Sequence, residues 1–196
     1  MVSIGFILGA LTLLAVPGPT NALMLVAGTQ GGISHALAAA GAATLGYLLA
    51  VTLLGGVIGP LLLEQPVLMN AIRFAAAGYL LIAAWRLWQT EASSIGRNRI
   101  VVSPGAVFLT TLLNPKAVII AFTLMPEGWT AKTGAAIPHL VVLCGLVFGI
   151  STLWGLLGRL LRSSLERTGA GKLTSRLGAI ILGLFGVAVA IASLSR

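Results

Sequence analysis

Acidic side chains are scarce in this sequence, which contains no aspartate and only four glutamates among its 196 residues. Charged residues of both signs make up 8% of the chain, whereas soluble domains carry about 25%. So few charges cannot cover a surface in water, and the mean hydropathy of +1.05 agrees with this. The composition therefore excludes an ordinary water-soluble protein and indicates an outer surface that faces lipid.

Metal-binding and redox-active side chains are equally scarce, with one cysteine, Cys144, and two histidines, His35 and His139. A lone cysteine inside an apolar run forms no disulfide framework, and the two histidines lie far apart in the sequence. The sequence shows no nucleophile–base pair, no metal-ligand spacing and no nucleotide-binding loop. We therefore predict that the chain is not an enzyme and binds no metal or cofactor.

Long apolar runs dominate the sequence, and its first charged side chain is Glu64. Because a helix needs about 20 apolar residues to cross a bilayer, the runs predict an all-α polytopic membrane protein with a single domain over residues 1–196. Six transmembrane helices are expected over residues 3–27, 36–63, 67–85, 104–125, 135–157 and 177–194. Residues 28–35 are expected to form the first turn, and polar linkers follow the third and fifth helices.

The basic residues give a net charge of +8, which could suggest a nucleic-acid partner. They lie in short gaps between apolar runs, however, where membrane topology places them. The loops after the first, third and fifth helices hold eight lysines and arginines, and the other side holds Arg73, Lys132 and Arg196. This asymmetry predicts cytoplasmic linkers, both termini outside and no binding of nucleic acid.

Small residues recur at four-residue spacing on two of the predicted helices. The second helix carries Ala38, Ala42, Gly46 and Ala50, and the fifth carries a GxxxG pair, Gly145 and Gly149. Small residues let helices approach closely in lipid. Two interpretations stay open: packing within one bundle, or a face that forms a homodimer.

Two predicted helices are interrupted in mid-span, the first by Pro17-Gly18-Pro19 and the fourth by Asn114-Pro115-Lys116. Proline removes a backbone donor and clashes with the preceding turn, so both helices should break there. Divided near residue 95, the chain gives halves 1–95 and 96–196 with three spans each, and the first span of each half is the broken one. Three spans per half would invert the halves, and paired interruptions of this kind predict a substrate site near the midplane.

The interrupted segments resemble the LysE/RhtB family of amino-acid exporters. The PGP-x-N pattern of residues 17–21 is similar to that family's first-helix signature, and residues 114–117 are similar to its NPKA signature in the fourth helix. Residues 77–81 resemble a stretch of its third helix. The resemblance implies a multi-pass secondary transporter in the bacterial cytoplasmic membrane that exports an amino acid or similar zwitterion. A metal-cation exporter of the same superfamily and a non-transporting membrane subunit are the alternatives.

The predicted position of the substrate depends on Lys116. A lysine at the bilayer centre costs about 2.5–3.5 kcal/mol, and a helix that restarts at Pro115 places this cation at a positive helix end. A substrate carboxylate would offset both terms, with Asn114 and Asn21 as further donors. The alternative is that Lys116 snorkels to an interface or bonds carbonyls freed at the Pro17–Pro19 break. The predicted substrate-binding residues are Pro17, Gly18, Pro19, Asn21, Asn114, Pro115 and Lys116. The second helix has no acidic residue in mid-span to pair with a cationic side chain, which favours a neutral or aliphatic amino acid.

Overall fold

The computed structural model describes residues 2–58, 65–89, 102–126, 129, 133–168 and 171–194, and the secondary structure within these ranges is helical. The helices are α1 Ile4–Ala15, α2 Pro19–Thr52, α3 Pro66–Trp88, α4 Pro104–Leu112, α5 Pro115–Ile119, α6 Thr133–Thr168 and α7 Gly171–Leu194. Short π-helical segments continue α2 over Leu53–Ile58 and α5 over Ile120–Leu124. The predicted all-α class is therefore confirmed for the described residues.

Local sequence signals explain where several of these helices begin. The Ser3 hydroxyl accepts a hydrogen bond from the Phe6 amide at 3.1 Å and caps α1. Ser103 caps α4 in the same way, through the Ala106 amide at 3.1 Å. Proline occupies the first turn of α2, α3, α4 and α5. A backbone N–H at that position has no intrahelical acceptor, so proline loses no hydrogen bond by lacking it.

Within the described residues, two helices are long and apolar enough to cross a membrane, over Pro19–Gly55 and Ala136–Leu161. The bent pair Pro104–Leu112 and Pro115–Leu124 would make a third span. Large apolar side chains are exposed along the outside of these helices, for example Leu45, Val141 and Leu153. An apolar exterior of this kind suits lipid, while the six-span inverted repeat stays a prediction.

The path of α2 reverses at Gly32, although its backbone is otherwise helical. Gly32 has φ 74° and ψ −172°, a combination that is essentially restricted to glycine. Thr20 and Tyr47 would lie about 40 Å apart on a straight helix, yet the side-chain amide of Asn114 donates to both. Residues 19–31 and 33–52 are therefore two arms that run back along each other. The predicted turn over residues 28–35 was too wide, because the reversal takes one residue.

Replacing Gly32 with alanine is expected to destabilise the protein by about 1–3 kcal/mol, because a Cβ is disfavoured at this φ and ψ. The matched control is Gly41→Ala in the second arm of α2, where an added Cβ would meet nothing within 4 Å. Thermal unfolding of the detergent-solubilised protein measures both. A Gly32→Ala variant that unfolds at the temperature of Gly41→Ala would contradict the assigned reversal.

The two arms of α2 form the centre of the fold and pack against α4, α6 and α7, and α3 packs along α7. Glycines allow the closest approaches. A Cβ added at Gly28 would overlap the carbonyl oxygen of Gly155, and one added at Gly158 would overlap that of Leu25. At Gly46, an added Cβ would lie 2.9 Å from the Phe108 carbonyl oxygen. In lipid, such close contact between backbones stabilises helix packing.

The predicted stripes of small residues are only partly buried. Gly46 and Ala50 are buried, but Ala38 is exposed, so the buried face of the second arm is rotated away from the predicted stripe. Gly145 and Gly149 on α6 are exposed, and an added Cβ at either position would meet no described atom within 4 Å. This pair therefore does not pack inside the described bundle, and the homodimer stays a prediction.

Two helices extend beyond their predicted limits. Helix α6 continues to Thr168 and α7 begins at Gly171, so most of the predicted second linker is helical. The basic residues of this segment lower its mean hydropathy, so the sequence predicted a linker. Lysine and arginine are nevertheless good helix formers. The first linker around Arg97, the glutamates Glu64 and Glu127, and Lys132 lie outside the described residues.

Candidate functional site

The two predicted breaks lie where the prolines interrupt the chain. Helix α1 ends at Ala15 and α2 begins at Pro19, with Gly18 in an extended conformation before it. Helix α4 ends at Leu112, and the segment that resumes at Pro115 is bent from it by 46°. The side-chain oxygen of Asn114 accepts a hydrogen bond from the Lys116 amide at 3.0 Å and caps the resumed helix. Both predicted helix interruptions are thus confirmed.

A layer of buried polar side chains surrounds these breaks, and we call it the polar layer. Each of its members is at most 6% exposed, and they are Thr20, Asn21, Thr44, Tyr47, Thr110, Thr111, Asn114 and Lys116. Among the described residues, one apolar cluster lies on one side of the polar layer and includes Leu23, Ala40, Val107 and Leu182. The second cluster includes Leu14, Val51, Ala117 and Ile120. Along both α2 and the α4–α5 pair, the polar layer separates the two apolar clusters.

The first break leaves backbone carbonyls without their helical donors. In an unbroken helix, the carbonyls of Leu13 and Ala15 would accept from residues 17 and 19, which are prolines and have no N–H. The side-chain amide of Asn21 donates to the carbonyls of Leu14 at 2.8 Å and Val16 at 2.9 Å. Asn21 therefore holds the carboxyl end of α1 in place, because both of its amide hydrogens point at carbonyl oxygens.

Lys116 reaches across from the second break to the first. Its side chain is 4% exposed, and its ammonium nitrogen donates a hydrogen bond to the Val16 carbonyl. The end of the side chain lies against Gly18, where an added Cβ would be 3.0 Å from both Cε and Nζ of the lysine. No carboxylate pairs with Lys116 among the residues whose side chains are described. The buried cation is therefore held by a neutral acceptor, which does not offset its charge.

A second set of hydrogen bonds joins the α4–α5 break to both arms of α2. The Asn114 amide donates to the Thr20 hydroxyl at 2.9 Å and to the Tyr47 hydroxyl at 3.2 Å. The Thr20 and Thr111 hydroxyls lie 3.1 Å apart, and the Thr111 hydroxyl donates to the Val107 carbonyl at 2.7 Å. These bonds fix the two breaks side by side.

The structure brings together the sequence-predicted polar residues Asn21, Asn114 and Lys116, with Gly18 as the spacer that admits the lysine. Thr20, Tyr47 and Thr111 were not predicted, and they join the predicted residues in the polar layer. A polar residue within an apolar run was the only signal for each of them. Because they meet through contacts 67 or more residues apart along the chain, that signal could not show that they belong together.

Metal ligands do not gather in the part of the chain that the structure describes, where no three of the histidine, cysteine, aspartate and glutamate side chains form a group. Cys144 is a free thiol, half-buried on α6. His139 packs edge-on against the Phe6 ring, with 4.9 Å between the ring centroids. The polar layer offers amide, hydroxyl, carbonyl and ammonium groups, which suit a small polar organic molecule better than a metal cation.

Comparison with known proteins agrees with this chemistry. The family model described as LysE type translocator matches residues 11–193. The cysteine/O-acetylserine efflux protein of Escherichia coli strain K12 is 25% identical over 142 residues, which cover 72% of this chain and 69% of the relative. The protein of the same description from Shigella sonnei strain Ss046 has the same identity and coverage. No solved structure matches the chain.

Proposed function

Because this chain belongs to the LysE type translocator family, we propose that it is a secondary exporter that moves an amino acid or similar small zwitterion out of the cytoplasm. The family match and the similarity of the chain to known efflux proteins both support amino-acid export at the level of the family. The substrate is proposed to bind in the polar layer, at the two helix breaks. Membrane lipid is proposed to surround the apolar exterior of the protein.

The observation that carries this proposal is the buried Lys116 ammonium. It lies between two apolar clusters, at the point where two broken helices meet, and its described acceptor is a neutral carbonyl. A carboxylate would form a hydrogen-bonded ion pair with it and would offset the charge, which the neutral carbonyl does not do. Amino acids carry such a carboxylate, so the site is suited to bind them.

The test compares an amino acid with its amide in vesicles loaded with each compound. The amide keeps the side chain and the ammonium group but lacks the carboxylate, so we expect its export to be at least about tenfold slower. Vesicles without the protein give the background. Equal export of the acid and the amide would refute the proposed role of Lys116.

The side chain of the substrate is proposed to be neutral. In the described polar layer, Lys116 is the charged member, and the others are hydroxyl and amide groups. A lysine or arginine substrate would therefore bring a second cation to a site whose described side chains include no anion. The relatives' names specify cysteine and O-acetylserine, which are both neutral overall. Preferential efflux of lysine or arginine over leucine or threonine from loaded cells would contradict this part of the proposal.

Two inverted halves of three spans are proposed as the architecture that places the site. Each half begins with a broken helix, and the resumed helices begin at Pro19 and Pro115. The reversal at Gly32 supports the count, since it divides α2 into two antiparallel arms, of which the first continues the broken span that begins with α1. With the broken α1–α2 segment and the α4–α5 segment each taken as one span, the described helices amount to six.

The membrane orientation gives a direct prediction. The eight-to-three distribution of basic residues places Arg97 and Arg167 in the cytoplasm of a bacterium, with both termini outside. In a Cys144→Ser background, a cysteine introduced by Arg97→Cys should react with an impermeant thiol reagent in broken cells and stay unreacted in intact cells. Labelling from outside intact cells would show that the orientation is the reverse.

A further inference from the structure

The carbonyl end of α1 has the chemistry of a binding site for a cation. The prolines at positions 17 and 19 remove the helical donors of two carbonyls, and Asn21 positions two others. One of these, the Val16 carbonyl, already accepts a hydrogen bond from an ammonium group, that of Lys116. The carboxyl end of a helix also carries a partial negative charge, which favours a cation there.

We infer that the Val16 carbonyl, held by Asn21, is the site for the ammonium group of the exported amino acid, and that Lys116 occupies it while the site is empty. The inference rests on the proposed function, since it names the second half of the same site. It assigns the two charges of a zwitterion to two different protein groups. The carboxylate binds the Lys116 ammonium, and the substrate ammonium takes the place of that ammonium at Val16.

This exchange keeps a cation at the Val16 carbonyl in both states. When the carboxylate draws the Lys116 ammonium away, the Val16 carbonyl loses one of its two donors. It keeps the Asn21 amide as a donor but loses a charge-assisted hydrogen bond, which is roughly twice as strong as a neutral one, and the substrate ammonium restores that bond. In the empty site, the lysine and the carbonyl pair with each other. A ligand that carries only one of the two charges would leave either the Lys116 ammonium without an acceptor or the Val16 carbonyl with the neutral Asn21 amide in place of a cation.

Asn21 acts in this site as a positioning residue. Its amide donates to the Leu14 and Val16 carbonyls, so it fixes the direction of the carbonyl that receives the cation. Gly18 lets the end of the lysine reach the Val16 carbonyl, because an added Cβ would lie 3.0 Å from the Cε and Nζ of Lys116. These two residues explain why a glycine and an asparagine accompany the two prolines of the first break.

The experiment measures binding to the purified protein in detergent, as the ligand concentration that gives half-maximal thermal stabilisation. The probes are the free acid, the amide and the N-acetyl derivative of threonine and of leucine. The N-acetyl derivative keeps the carboxylate and loses the cation. We expect it to bind at least tenfold more weakly than the free acid. The N-methyl derivative adds bulk at the same nitrogen but keeps the cation, and it should bind more tightly than the N-acetyl compound.

A Lys116→Met variant separates the two halves of the site. It keeps an unbranched side chain one atom shorter than lysine and loses the partner of the carboxylate, so the free acid and the amide should bind about equally. Discrimination against the N-acetyl derivative should persist, because the Val16 carbonyl is still present. Loss of that discrimination in Lys116→Met would overturn the inference, since it would place both selectivities on the lysine.

The remaining outcomes distinguish this inference from the proposed function. If the wild-type protein binds the N-acetyl derivative as well as the free acid but rejects the amide, the ammonium site is wrong and the carboxylate site stands. If the wild-type protein binds the amide as well as the free acid, the carboxylate site is wrong. If none of the free acids stabilises the protein and loaded vesicles export none of the neutral amino acids, both proposals fail together.

Discussion

Replacing Lys116 with alanine is expected to lower export at least about a hundredfold. Removal of one partner from a buried charged pair costs about 2–5 kcal/mol, and about 2.8 kcal/mol corresponds to a hundredfold change. Lys116→Arg should retain little activity, because the planar guanidinium is larger and differs in geometry from the compact ammonium. The space beside Gly18 is already filled by the end of the lysine. Efflux of a labelled neutral amino acid from loaded cells measures both variants.

The amount of protein in the membrane must be measured alongside, because a loss of folding would also stop export. Lys116→Ala removes a buried cation without a described counter-charge, so membrane insertion should be no worse than in the wild type. Arg159→Ala, which removes an exposed cation on α6, is the control for a general effect of charge and should export normally. A Lys116→Ala protein that is present at normal levels and exports normally would remove the lysine from the mechanism.

Substitution at the glycine contacts between α2 and α6 is expected to have the largest effect on stability. In Gly28→Ala and Gly158→Ala, the added methyl group would overlap a backbone carbonyl of the opposite helix. A backbone carbonyl cannot rotate away as a flexible side chain can, so the helices must separate. We expect each substitution to destabilise the protein by more than about 3 kcal/mol, at the upper end of overpacking effects.

Gly145→Ala and Gly149→Ala provide matched controls on α6. Both positions are helical and open, so their alanine variants should unfold at or slightly above the wild-type temperature. The comparison uses thermal unfolding in detergent and the yield of membrane-inserted protein. A Gly28→Ala variant as stable as Gly145→Ala would show that α2 and α6 do not approach as closely as described. A change in dimerisation in the Gly145 and Gly149 variants would instead support the predicted homodimer face.

Several features of this protein follow from its sequence because their causes are local. The scarcity of charge predicts an apolar exterior, since no arrangement of the chain can supply polar groups it does not contain. The breaks at Pro17–Pro19 and at Pro115 follow from the missing N–H of proline, which prevents a continuous helix in any tertiary context. The cost of burying the charge of Lys116 was also visible in the sequence, because a charge inside a long apolar run must find a partner.

Other features depended on contacts between distant residues. The polar stretch over residues 28–35 suggested a wide turn, but Gln30 and His35 form hydrogen bonds with the backbone of Val102, and helix continues on both sides of Gly32. Polarity there reflects a tertiary contact, which a local pattern cannot distinguish from exposure to water. Thr20, Tyr47 and Thr111 meet Asn114 or one another only in the fold.

The sequence by itself thus determined the lipid-facing class of the protein, the two helix breaks and the buried cation. The tertiary structure decided which groups face that cation. It places the Val16 carbonyl, 100 residues away along the chain, at the Lys116 ammonium. Hydropathy and proline act on the chain where they occur, whereas the pairing of Lys116 with Val16 depends on how α1, α2 and α5 pack. The sequence left open whether Lys116 meets a substrate carboxylate or carbonyls freed at the Pro17–Pro19 break, and the structure shows which carbonyl it reaches.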